Sequence, residues 1–210
     1  MDEKYIRVVG IGKVSLPPDT VVIEMILTNT NIEYEMAIQA AKESLHTLVG
    51  CLGEVGFDND DIKTSDFRVN TKFENEKDSD GNFKKVFKGY EVINSLSIEF
   101  KEDPVLLSKV IMVLSQCQAR PTFNIRYELK NNEKIEEKLL VDAVNNAKDN
   151  AATITVASRV KLGKIMNIEY DGNSGIVFNN RVGYMAEAIS LSPENIEKEA
   201  RVTITWKIDN

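Results

Sequence analysis

The chain has 210 residues, of which 42% are hydrophobic and 28% charged, enough apolar material for a sizeable core and too much for global disorder. Thirty-three acidic and 26 basic residues leave a net charge of −7 with no Lys/Arg cluster to offset it. Such a surface repels phosphate backbones and anionic lipid, so neither nucleic acid nor an anionic membrane surface is an expected partner.

Tyr5 to Leu16 and Thr20 to Thr30 read as two β-strands separated by Pro17-Pro18-Asp19, which cannot continue a ladder and makes a turn. Glu33 to Val55 reads as an amphipathic helix. Tyr34, Ile38, Ala41, Leu45, Leu48, Leu52 and Val55 recur every three or four residues on one face, and Gly56 suits the left-handed position after the helix. Asp61 to Asn75 and Lys84 to Lys101 form the arms of a long hairpin. Tyr90, Val92, Leu96, Ile98 and Phe100 alternate with mostly polar neighbours, and the polar tip Glu76 to Asn82 carries the tight-turn pair Asp80-Gly81. Asp103-Pro104 opens a second helix as an N-cap acid followed by proline, with Leu107, Val110, Ile111 and Leu114 on its apolar face.

A strand follows, with Phe123, Ile125, Tyr127 and Leu129 on one side. Asn132 to about Val160 reads as a long helix with Leu140, Ala143, Ala147, Ala151 and Ile154 on one face. The β-branched run Thr153 to Val156 opposes helix mildly, but the alanine spacing passes through it. Leu162-Gly163-Lys164-Ile165 leads into a strand ending near Tyr170, and Gly172 to Pro193, the least patterned region, contains a long loop. Ala200 to Ile208 closes the chain, with Val202, Ile204, Trp206 and Ile208 on its apolar side and Trp206 expected in the core. The predicted class is α+β: a mostly antiparallel sheet with helices on one face, containing a ferredoxin-like βαββαβ unit from Thr20 to Leu129, plus an extra long helix and C-terminal strands. No composition shift or linker interrupts residues 1–210, which read as a single domain.

The residues that could carry chemistry do not assemble into a known motif. Gly10 and Gly12 lack the third glycine of a dinucleotide fingerprint, since Ser15 stands there and the chain stays extended. A strand bend or close backbone approach is the expected use of these glycines. The acids Asp58, Asp60, Asp61 and Asp78, Asp80 miss the glycine and glutamate positions of a calcium loop and read as turn formers. His46 is the only histidine, sits beside Leu45 on the first helix, and has no companion motif. It reads as a partly exposed helix-face residue, and a zinc site built on histidine and cysteine would lack ligands unless carboxylates supplied most of them. Asn94 interrupts an apolar alternation and is expected to pin a neighbouring strand or loop. Cys51 and Cys117, near the apolar stripes of two helices, are expected to be reduced and packed. No catalytic, cofactor-binding or metal residue is therefore assigned, and no cofactor is expected. The first residues, MDEKYIRVVG, have neither a basic stretch nor an apolar core of a leader. Cytoplasmic residence is expected as written, and an extracytoplasmic one if a leader was removed. No apolar run approaches the roughly 18 residues of a membrane span.

The segment IRVVGIGKVSLPPDTVVIEMI (6–26) resembles the opening of the SIMPL-domain family. GFDNDDIKT (56–64), GYEVINSLSIEF (89–100), the alanines 143, 147 and 151 followed by LGKI (162–165), and RVTITW (201–206) resemble its later segments in order. Ser158-Arg159 and Glu194 depart from it, standing where glycines are common. The resemblance implies a protein with no transferable catalytic motif. Its relatives include bacterial periplasmic immunogenic proteins linked to oxidative-stress tolerance, some forming ring-like homo-oligomers, and an animal signalling adaptor. The expected function is accordingly non-enzymatic interaction or assembly, with a homo-oligomer and an unidentified protein as partners. The alternative is small-molecule binding in a cleft between the sheet and the long loop. A third reading, an enzyme working with carboxylates alone, would require two facing acids in a cleft.

Overall fold

The structure, a computed structural model, describes residues 4–77, 83–130, 132–170, 175–177 and 193–209. The described residues form two compact units, one made of residues 1–18 and 129–210, the other of 19–128 inserted into it.

The inserted unit carries β2 (Thr20–Asn31), α1 (Tyr34–Gly53), β3 (Lys63–Lys77), β4 (Phe83–Lys101), α2 (Pro104–Gln116) and β5 (Thr122–Glu128). Its strands are all antiparallel in the order β3-β4-β2-β5, the ferredoxin-like arrangement expected of a βαββαβ order. Alternate residues of β2 (Val21, Ile23, Met25, Leu27) and β4 (Val92, Leu96, Ile98) are buried, as are Ala37, Ala41, Leu48 and Leu52 of α1 and Leu107, Val110 and Leu114 of α2. Each large aliphatic chain so buried contributes about 1.5–3 kcal/mol. The buried stripe of α1 runs through Ala37 rather than Tyr34, whose ring is half exposed. Asp103 caps α2, its Oδ1 accepting from the Val105 and Leu106 amides at 2.9 and 3.2 Å. Gly56 adopts φ +96° after α1, the left-handed position anticipated for it. The ends of this unit are tied together where the Asp19 amide donates to the Glu128 carbonyl at 3.0 Å.

The other unit carries β1 (Tyr5–Leu16), α3 (Asn132–Ala157), β6 (Lys161–Tyr170), β7 (Gly175–Val177) and β8 (Ile196–Asp209). Its antiparallel sheet runs β1-β8-β6, with β7 also paired to β8. Val8, Val202, Ile204 and Trp206 pack against Ala143, Ala147 and Ala151 of α3, and Val14 and Ala200 against Leu139. The buried i+4 row ends at Thr155, not at Ile154, which is exposed. Thr155 Oγ1 donates to the Ala151 carbonyl at 2.9 Å, which accommodates the hydroxyl and lets the β-branched run stay helical.

The small residues have a clear cause. A Cβ on Gly10 would lie 2.5 Å from the Ala147 amide nitrogen and 2.6 Å from its Cβ, and one on Gly12 would lie 2.9 Å from the Ala143 amide nitrogen. Helix backbone therefore lies directly on strand backbone, and Asn146 Oδ1 accepts from the Ile11 amide at 3.0 Å. Close backbone approach, the expected use of these glycines, is what they provide.

Several expectations change. The antiparallel α+β class holds, but its strands divide between two sheets, and Pro17-Pro18 carries the chain from one unit to the other. The region expected to contain a long loop also holds the three-residue strand β7. The final strand begins at Ile196, four residues earlier than expected. The cysteines are not reduced: Cys51 and Cys117 form a disulfide with Cα atoms 6.2 Å apart, inside the range a bridge can span. Each thiol was placed near a helix stripe, but only the crossover topology sets α1 and α2 side by side and brings the two sulfurs together.

Candidate interaction surface

Pairing of β2 with β4 stops at Asn31–Tyr90, whereas pairing of β3 with β4 continues to Lys77–Phe83. Beyond the sheet the hairpin is thus a two-stranded ribbon. A register shift between Lys72 and Phe73 marks its root. There Gly89 adopts φ +120°, and any Cβ on it would lie 2.7 Å from the Asn31 carbonyl carbon. Only glycine fits this bulge against the end of β2.

One face of the ribbon is aromatic. Tyr34, at the start of α1, meets Tyr90 edge-on at 5.2 Å between centroids; Tyr90 meets Phe87 at 5.5 Å; and Phe87 meets Phe73 at 5.6 Å. These spacings suit the ring quadrupoles. Toward the tip, the Lys77 ammonium lies 5.5 Å from the Phe83 ring centroid. Phe83 is 72% exposed, Phe73 54% and Tyr34 51%. Lys88, between Glu74 and Glu76, holds the opposite face, and Lys72 pairs with Glu91 at 2.9 Å. Hydrogen bonds donated to the Glu91 and Glu76 carboxylates raise Lys72 and Lys88, respectively, above the usual lysine value. Ion pairs thus occupy the far side and root, and the near side offers ring faces with Lys77 toward the tip.

The other residues singled out in the sequence do not converge. His46 is exposed on α1 and lines a groove open to solvent with Gln39, Lys42, Glu43 and Thr47. Asp61 Oδ2 accepts from the Asp58 amide at 2.8 Å, the turn role expected of it. Asp78 and Asp80 lie outside the described residues, as does most of the hairpin tip. Trp206 is buried in the core as expected. Asn94 is 4% exposed, yet its carboxamide oxygen has no partner among the described residues. Among the described residues, the expected pinning of a neighbouring strand or loop therefore does not run through that oxygen. Across the sheet Asn94 faces Leu27 and Phe67, neither of which has a side-chain donor. Among the described residues no three potential metal ligands cluster and no helix is long and apolar enough to cross a membrane. Most of the long loop, with its apolar Phe178, Val182, Tyr184, Met185 and Ile189, lies outside the described residues, as does that side of the cleft considered for a small molecule.

The aromatic row was not picked out from the sequence, which put Tyr34 in the helix core and gave Phe73, Phe83 and Phe87 no role. A usable signal was present: Phe73 and Phe87 each lie seven positions from Asp80, so a hairpin turning there pairs them.

A family model described as "SIMPL: Protein of unknown function (DUF541)" matches residues 6–206. No curated protein matches the chain.

Proposed function

Because the chain belongs to the SIMPL family, a family defined without an assigned activity, we propose that it is a non-enzymatic interaction and assembly protein that associates with itself. The observation that supports this reading is the exposed aromatic row. Tyr34 of α1 and Tyr90 at the end of the sheet stand edge to face with Phe87 and Phe73, which lie on the ribbon that projects past it. A two-stranded ribbon is marginal in water by itself, and contiguous exposed apolar surface marks interaction sites. Light scattering over a micromolar dilution series tests it. A mass at least twice 23.6 kDa is expected, and a monomer mass throughout would remove self-association.

The Cys51–Cys117 bridge favours work in an oxidising compartment, since disulfides persist there and are rare in reducing cytosol. Such a location accords with the stress-tolerance role that the resemblance implies. Survival of a deletion strain under peroxide is the measurement, and survival equal to the parent strain removes that role.

A further inference from the structure

We propose that two copies of this chain pair about a twofold axis through the aromatic row, an inference that rests on the self-association proposed above. Among the described residues, the face of the row carries lysines toward the tip and glutamates at the base; Asp78 and Asp80, which follow Lys77 in the sequence, lie outside them. At the tip, Lys77 lies over the Phe83 ring, and Lys85 alternates with Phe83 and Phe87 along β4, which puts it on their face. At the base, Tyr34 is flanked by Glu33 and Glu35 at the start of α1. All three are exposed, and the Glu33 side chain makes no cap hydrogen bond. The acids of the ribbon itself, Glu74 and Glu76, are engaged with Lys88 on the opposite face.

Laying one row antiparallel on another sets the lysine tip of each copy over the glutamate base of the other. The rings of Phe73, Phe87 and Tyr90 then meet near the axis. A parallel overlay would set lysine on lysine. This is the self-complementary pattern of a twofold contact, in which residue i meets j and j meets i. The apolar area suffices. Tyr34, Phe73, Phe83 and Phe87, with exposed Ile32 and Met36 at the base, offer roughly 600 Å² per copy at about 200 Å² for a fully exposed large side chain. The flanking lysines and glutamates bring this near the roughly 800 Å² per partner of a stable interface. An aromatic centre with a charged rim is also the composition such interfaces have.

The test uses the full chain and three sets of variants, each checked for an unchanged far-ultraviolet circular dichroism spectrum. Lys77→Glu with Lys85→Glu reverses the tip, and Glu33→Lys with Glu35→Lys reverses the base. Each pair of substitutions should weaken association at least tenfold by sedimentation or light scattering. An equimolar mixture of the two variants should restore it, because both tip-to-base contacts are then again of opposite sign. Phe83→Ser, at the most exposed ring, should weaken association without touching a charge. A wild-type monomer over the whole dilution series overturns the self-association itself. A wild-type assembly that survives all three sets of variants overturns the placement on the aromatic row and leaves self-association standing. Two monomeric charge variants that stay monomeric on mixing overturn the antiparallel tip-to-base pairing.

Discussion

Gly10→Ala tests whether α3 rests on the backbone of β1. The added methyl would sit 2.6 Å from Ala147 Cβ and 2.5 Å from the Ala147 nitrogen, with the Ala143 carbonyl oxygen closer still. Carbon atoms make favourable contact at about 3.5–4.0 Å, so α3 must retreat by roughly 1 Å. None of the opposing atoms is the end of a flexible side chain, so the shift falls on the whole helix. Overpacking of this kind costs about 1–3 kcal/mol. The retreat also stretches the Ile11–Asn146 hydrogen bond, worth about 1 kcal/mol, and loosens Ala143, Ala147 and Ala151 from Val8 and Ile204. The expected loss is about 3–4 kcal/mol, a fall in Tm on the order of 10 °C for a chain of this length. Thermal unfolding followed by circular dichroism is the assay. Gly50→Ala provides the opposite sign in the same experiment: Gly50 is helical, a Cβ there meets nothing within 4 Å, and the substitution should gain about 0.5–1 kcal/mol. A Gly10→Ala protein melting within about 2 °C of wild type would refute direct helix-on-strand contact.

Reducing the Cys51–Cys117 bridge, which spans a sequence separation of 66, should cost about 4 kcal/mol by release of the unfolded chain. Unfolding with and without a phosphine reductant, checked against Cys51→Ser/Cys117→Ser, measures it, and identical curves would mean no bridge forms in solution. Arg159 holds φ 55° just after α3, where glycine is easier, so Arg159→Gly should stabilise by about 0.5–1 kcal/mol in chemical denaturation. The Glu199 carboxyl is held below its ordinary value, first by the hydrogen bond from Arg201 and then by Lys13, against the opposing effect of burial. Its contribution is complete above the unfolded value near 4.5 and is lost as pH falls through the lowered folded value. Arg201→Gln should therefore flatten the acid limb of the stability profile while leaving its slope near neutrality unchanged. A fragment of residues 19–128 has its own sheet, core and bridge and hydrogen-bonded ends, and should give a cooperative thermal transition. A featureless melt would show that its stability depends on the rest of the chain.

Where the signal is local, the sequence was legible. The Asp103-Pro104 cap, the left-handed Gly56, the alternation around Ile204 and Trp206, and the alanine spacing of α3 each follow from a few neighbouring residues. The βαββαβ order likewise implied the ferredoxin-like unit, because short connections and handed crossovers leave few ways to pair such strands. The interaction surface was legible only in part. An apolar residue on a strand looks the same whether a helix covers it or the strand has run past the sheet. Phe73 and Phe87 therefore gave no warning that they stand exposed.

The sequence by itself determined the antiparallel α+β class, the kinds of elements and the lack of a familiar catalytic pattern, since these depend on residue type and spacing. Only the tertiary structure decided the partition into two sheets, the meeting of Cys51 with Cys117 and the edge-to-face row from Tyr34 to Phe73. Each of these joins residues distant in the chain. Their meeting depends on which strand lies beside which and where each pairing stops, and no local preference encodes that.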